Sequence, residues 1–130
     1  MDKNELLVEI KTKPTAVIIK EFTKTGAKIQ YNLVGEVNGK YSGSHMETAG
    51  VFQKMDGSNE WEARAIETTK DGDTIMIAAK GTRRQGTFQG EGTCMTMSPK
   101  LSWLNNLRAR VKGVTDLKDG SSIMKVYAMK

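Results

Sequence analysis

The sequence predicts an all-β chain: an antiparallel up-and-down barrel of about eight to nine strands, one domain over residues 1–130. Three observations carry this expectation. Apolar and polar residues alternate with period two through most of the chain, as in half-buried strands. Gly-containing turns, such as Asn38-Gly39, Asp56-Gly57 and Asp119-Gly120, punctuate the alternating runs. The runs over 41–55 and 86–97 are long and carry internal glycines, which suits a closed, strongly bent sheet. Closure also removes the exposed edges that an open sheet of this width would present.

Taken in order, Leu6–Lys11 and Ala16–Phe22 read as two short strands separated by Lys13-Pro14. The run Ala27–Val37 sets Ile29, Tyr31, Leu33 and Val37 against Gln30, Asn32 and Glu36. Asn38-Gly39 then predicts a hairpin into the long strand over Tyr41–Met55. Asp56-Gly57-Ser58-Asn59 leads into Trp61–Thr69, and Lys70-Asp71-Gly72-Asp73 into Thr74–Gly81. Gly86–Met97 follows and ends at Ser98-Pro99. Leu101 and Leu104 stand at helical spacing, with Pro99 at the permitted first position, so a short helical turn is expected near 100–106. Leu107–Val114 and Ile123–Met129 complete the set.

Composition narrows the function. The chain has one cysteine, Cys94, and one histidine, His45, which excludes an internal disulfide and a cysteine-cluster zinc site. No metal or other cofactor is expected. The longest aliphatic run is Ala16-Val17-Ile18-Ile19, too short to span a bilayer, and no secretory signal is read at the N-terminus. A cytoplasmic protein without a membrane partner is expected. Lys plus Arg total 20 against 15 acids, a net charge of +5. Arg108, Arg110 and Lys112 alternate with Leu107, Ala109 and Val111, the pattern of a wet strand face. No aromatic pair is interleaved to stack bases, so nucleic acid is the lesser alternative.

An eight-stranded barrel is just wide enough to be filled by side chains or to hold one small ligand. Two orientations are open for the strand over 60–68. If Trp61, Ala63 and Ala65 pack beneath a neighbour, Glu62 and Arg64 enter the lumen, where charge must be paired or functional. In the reverse orientation Glu62 and Arg64 form a wet outer face. His45 shares a strand face with Glu47, and that carboxylate could raise the imidazole pKa or simply form a salt bridge. Glu91 stands between Gly90 and Gly92, with space around it for a ligand or for a bulge. Cys94 has no adjacent base, which argues against a nucleophilic role. The candidate catalytic residues are thus Glu62, Arg64, Glu91 and His45, with Tyr31, Met76, Met95 and Tyr127 as candidate lining of an apolar pocket.

The second half carries further features in order: Glu62-Ala63-Arg64, Asp71-Gly72-Asp73-Thr74-Ile75, Lys80-Gly81, Gly92-Thr93, Ser98-Pro99, Trp103-Leu104-Asn105 and Lys125-Val126-Tyr127. Together they resemble a group of small bacterial and archaeal proteins with the allene oxide cyclase-like barrel fold. The resemblance covers about residues 60–128. It implies a barrel of about eight strands with a central pocket, a homo-oligomeric assembly, and chemistry on reactive small molecules without a metal. It implies a structural role for Trp103-Leu104-Asn105, with Trp103 packed and Asn105 bonding backbone. The functional expectation is a pocket protein for a hydrophobic or aromatic metabolite: an isomerase, cyclase or lyase using carboxylate-assisted proton transfer in the lumen. The alternative is a non-catalytic binding protein for a lipophilic small molecule.

Overall fold

A computed structural model of the chain describes residues 5–129. Eight antiparallel strands follow one another and close on themselves: β1 (Glu5–Thr23), β2 (Gly26–Gly39), β3 (Gly43–Lys54), β4 (Ser58–Thr69), β5 (Thr74–Arg84), β6 (Thr87–Thr96), β7 (Arg108–Thr115) and β8 (Ser122–Ala128). The strand β1 pairs with β8 to complete the barrel. The expected pair of short N-terminal strands is one 19-residue strand that runs through Pro14. Proline cannot donate to a ladder, and here it stands at a register shift between Pro14 and Ala16, where a bulge absorbs it. Asn38-Gly39 also remains in the ladder, opposite Glu9 and Val8; the chain turns after it, over 40–42.

Inward side chains form stacked layers, which the strand register defines. The middle layer crosses from Tyr31 through Ala49, Ala63, Ala79, Gly92 and Ala109. Apart from Tyr31, which lines the wall, these residues are too small to meet across the barrel, so the lumen stays open at this level. The layer above holds Val51, Trp61, Gly81, Gly90, Val111 and Val126, and the next holds Gln53, Asn59, Arg83, Phe88, Gly113 and Met124. Below the small belt lie Leu33, Glu47, Ala65, Ile77 and Cys94, and below them His45, Glu67, Ile75 and Thr96.

Glycines make room for the two large rings of the upper layers. A Cβ on Gly90 would lie 2.7 Å from Trp61 Cζ2, and one on Gly113 would lie 2.3 Å from Phe88 Cζ. The two rings meet edge to face, with centroids 6.0 Å apart and planes at 87°.

The bottom is closed. A 3-10 helix over Pro99–Asn106 inserts Leu101 and Leu104 against Ile75, with Tyr41, Ile77, Cys94 and Leu107 packed around them. Asn105 grips β6 from its side chain, accepting from Thr96 N at 2.8 Å and donating to Thr96 O at 3.0 Å. The sequence expectation of a plugging turn is met, with one change. The packed residue is Leu104, 1% exposed, while Trp103 keeps 37% of its surface in solvent.

The outer face has two distinct bands. Val34, Met46, Ile66, Met76 and Met95 are consecutive neighbours across β2–β6, and all are exposed. Further along the strands, Glu62, Lys80, Glu91 and Arg110 alternate in sign across β4–β7, and opposite charges in adjacent strands are mutually favourable. Among the described residues, no helix is long and apolar enough to cross a membrane.

Candidate functional site

The lumen encloses a cavity of about 550 Å³ with walls that are mostly apolar, within the usual range for a small-molecule site. Its rim carries the β7–β8 turn, where Leu117, Lys118 and Asp119 contribute. Its floor is polar, and this is where the chemistry lies.

Four side chains from three segments form a connected chain at the floor. Glu67 on β4 is fully buried. Tyr41, in the turn between β2 and β3, donates its hydroxyl to Glu67 Oε1 at 2.5 Å. His45 Nδ1 meets Glu67 Oε2 at 2.7 Å, and His45 Nε2 meets Glu47 Oε1 at 2.7 Å. Both Glu67 oxygens thus accept, and each imidazole nitrogen faces a carboxylate. A doubly protonated imidazolium satisfies both contacts as donor.

The electrostatics agree. Burial by itself would lower the His45 pKa, because a charged imidazole loses its water. The hydrogen bonds to Glu47 and Glu67, and their charges, outweigh that loss and hold it at about 9. Tyr41 is pushed well above the usual phenol range by burial, then by the charge and hydrogen bond of Glu67. It stays a hydrogen-bond donor. Burial, with Glu67 nearby, pushes the Cys94 thiol up to about 11, so it is protonated at neutral pH and a poor nucleophile.

Local sequence explains the cluster. On β3, His45 and Glu47 are two apart and share the inward face. His45 pairs with Glu67 across the β3–β4 ladder, so their side chains leave the sheet side by side. Glu47 differs from Glu67 in one respect: its side chain is 15% exposed against 0%. It lines the cavity, and only one of its oxygens has a protein partner among the described residues.

Of the residues singled out from sequence, the lumen receives His45 and Tyr31. Glu62 and Arg64 lie on the outer face of β4, because Trp61, Ala63 and Ala65 on the other face line the cavity instead. A closed barrel offers no second layer under which an apolar outer face could pack. Glu91 is also outside, bonded to Arg108 Nη2 at 2.8 Å. Met76 and Met95 belong to the exposed apolar band, and Tyr127 stands beside Arg110 on the ladder position between inward Val126 and Ala128. The expectation of a desolvated Glu62 or Glu91 therefore does not fit the geometry. Glu67 and Tyr41 were missed. Glu67 lies at the end of the same small apolar face, Trp61-Ala63-Ala65, and that position was its signal. No three His, Cys, Asp or Glu side chains among the described residues are grouped to hold a metal ion.

No protein-family model and no curated protein matches the sequence. Solved structures do match in shape. A protein of unknown function from Clostridium acetobutylicum superposes with a TM-score of 0.89 at 20% identity, covering 99% of this chain and 100% of that one. A beta-barrel-like protein from Acinetobacter baumannii superposes with a TM-score of 0.89 at 20% identity, over 98% of this chain and 96% of that one. A protein described as an enzyme from Penicillium herquei superposes with a TM-score of 0.78 at 20% identity, over 98% and 94%. At this identity the likeness establishes a shared fold: the chain is a closed eight-stranded β-barrel of the same architecture as barrel proteins of unknown function and one enzyme.

Proposed function

We propose that the protein is a small-molecule enzyme of the isomerase, cyclase or lyase class. Glu47 moves a proton on an apolar, ring-bearing substrate held in the barrel lumen. One observation carries the reading: a carboxylate opens onto an apolar cavity of about 550 Å³ and is backed by a buried imidazole and a second, fully buried carboxylate. Buried charge is costly, and an assembly that serves packing alone would be replaced without loss by apolar side chains.

The roles follow from the geometry. Glu67 holds His45 by its Nδ1 side and stabilises the imidazolium, so the proton between His45 and Glu47 stays on nitrogen. Glu47 is thereby kept as a carboxylate that can act as base. It would take a proton from an acidic C–H or O–H of the substrate. The carboxylic acid so formed would return that proton to another atom of the same molecule, or to a leaving group. Neither outcome needs a redox partner. The imidazolium beside Glu47 offsets negative charge developing on the substrate. Tyr41 acts through Glu67 and is a positioning residue.

The reaction is testable without knowing the natural substrate. The probe is 2-tetralone, a fused-ring ketone with acidic C–H bonds, incubated in D₂O with the protein and followed by proton NMR. The native chain should accelerate exchange, and Glu47→Gln should lower the enhancement at least 100-fold, as loss of a general base does. Trp61 fluorescence in a Trp103→Phe background reports whether the probe still binds. Exchange no faster than in buffer, with the probe bound, would leave a binding protein without chemistry, the second reading, and exchange equally fast in Glu47→Gln would dismiss Glu47 as the base.

A further inference from the structure

The structure assigns Arg83 as the recognition residue for an anionic group, so that the occupant of the lumen is an acidic, ring-bearing amphiphile: a carboxylate, sulfonate or comparable acid on an apolar body. This rests on the lumen being the ligand site and deepens that reading.

Arg83 lies in the upper inward layer of β5, between Asn59 on β4 and Phe88 on β6. It lines the cavity and is half-buried. With the Asn59 amide turned so that its oxygen faces Arg83, the orientation that satisfies both groups, Arg83 Nε and Nη2 donate to that oxygen at 3.2 and 3.0 Å and the Asn59 nitrogen donates to Ser58 O at 2.9 Å. The guanidinium is thus oriented by a neutral acceptor. Among the described residues it forms no ion pair with a carboxylate. A guanidinium that lines an apolar cavity without a counter-charge is suited to an anion in bidentate geometry.

The other charges near the rim are engaged elsewhere. Asp116 Oδ1 accepts from Lys118 N at 2.9 Å, and Asp119 Oδ1 accepts from Ser121 N and Oγ at 2.9 and 2.7 Å. Both carboxylates hold their own turn. Lys118 adds a second cation to the cavity rim.

The layering orients the ligand. On β3, Glu47 lies in the layer below the small belt and Gln53 lies in the layer of Arg83. Six residues of strand separate those layers, about 20 Å along the strand at 3.4 Å per residue and about 15 Å along the axis of a barrel whose strands tilt by about 40°. An acidic group would be repelled by Glu47 and drawn to Arg83. The ligand therefore enters with its apolar, reactive end toward the floor, and its rings pass Trp61 and the small belt. The reach fits an elongated body of three or more rings.

Two dyes with one ring skeleton test this directly. 8-Anilinonaphthalene-1-sulfonate carries the acid, and N-phenyl-1-naphthylamine lacks it. The native protein should bind the sulfonate about tenfold more tightly, and Arg83→Gln should erase that preference while leaving the neutral dye within twofold. Raising the salt concentration should weaken only the sulfonate, which tests the same claim on the native chain should the variant fold poorly. Equal affinity for both dyes, or an Arg83→Gln variant that weakens both alike, would overturn the assignment of Arg83 while leaving the pocket standing. If neither dye binds, or if the lumen-filling Ala63→Phe variant binds both as well as the native chain, the lumen is not the site and both readings fall.

Discussion

Glu67 and His45 leave adjacent strands side by side, with Oε2 2.7 Å from Nδ1 and the two side chains 0% and 1% exposed. Neither could hold a charge at that depth alone. Together with the Tyr41 hydroxyl and Glu47 they satisfy each other, and the imidazolium is held between two carboxylates.

Glu67→Gln should therefore act mainly on His45. Removing the charge behind Nδ1 leaves burial, which lowers the pKa, opposed by Glu47 alone. The His45 pKa should fall by more than one unit from about 9, as read by NMR titration of the imidazole. In the exchange assay the descending limb of the pH profile should move to lower pH by a similar amount. A His45 titration unchanged in the variant would dismiss the coupling between the two residues.

Stability should depend on pH through the same residue. The folded His45 pKa of about 9 stands above its ordinary value of 6.5. The native state thus binds the proton more tightly than the unfolded chain does. Its contribution is complete below about pH 6.5 and is lost as pH rises through 9. The gap between 9 and 6.5, at about 1.4 kcal/mol per pH unit, bounds the loss at about 3.5 kcal/mol. Cys94 and Tyr41, also raised, add to the decline only above pH 9. Urea unfolding between pH 6 and 9 should show the decline in the native chain and much less of it in His45→Asn. A flat profile in the native chain would contradict the proton count.

The sequence made the barrel legible because period-two alternation and turn glycines are local signals. The strand β4 shows where that stops. Its two faces were separable, Glu62 and Arg64 from Trp61, Ala63 and Ala65, yet alternation alone does not say which face is inside. Closure decides it, and closure is a property of all eight strands. His45 with Glu47 was visible because both lie on one strand. Glu67 reaches His45 from 22 residues away across the β3–β4 register, and Tyr41, in the β2–β3 turn, joins the cluster only through Glu67, 26 residues from it. Pro14 misled because a proline so often ends a strand; the bulge beside it depends on pairing with β2.

The helical plug should be a point of stability separate from the chain of Tyr41, Glu67, His45 and Glu47. Leu104 is 1% exposed and packs with Leu101 and Ile75. Truncating it leaves a cavity at the floor, and Leu104→Ala should cost about 2–5 kcal/mol. Urea unfolding at constant pH measures this, and a loss under 1 kcal/mol would mean that the floor can collapse or that the helix is loosely held.

The strand glycines divide into those that carry space and those that do not, and two alanine substitutions separate them. At Gly90 a Cβ would lie 2.2 Å from Lys80 O and 2.7 Å from Trp61 Cζ2. The first contact is with backbone, which cannot yield without moving β5, and the second is with a ring fixed by its hydrogen bond from Nε1 to Thr82 O at 3.1 Å. Gly90→Ala should therefore cost about 1–3 kcal/mol and shift Trp61 emission, because the ring is forced toward the cavity. At Gly50 the nearest atom to an added Cβ is Glu62 Cγ at 4.0 Å, in open space on the outer face. There alanine should be neutral or stabilise by a few tenths to about 1 kcal/mol, since it restricts the unfolded chain more than the folded strand. Paired unfolding curves decide the point: equal effects at the two positions would show that the ring and the carbonyl above Gly90 are free to move, and that the upper lumen is softer than its packing implies.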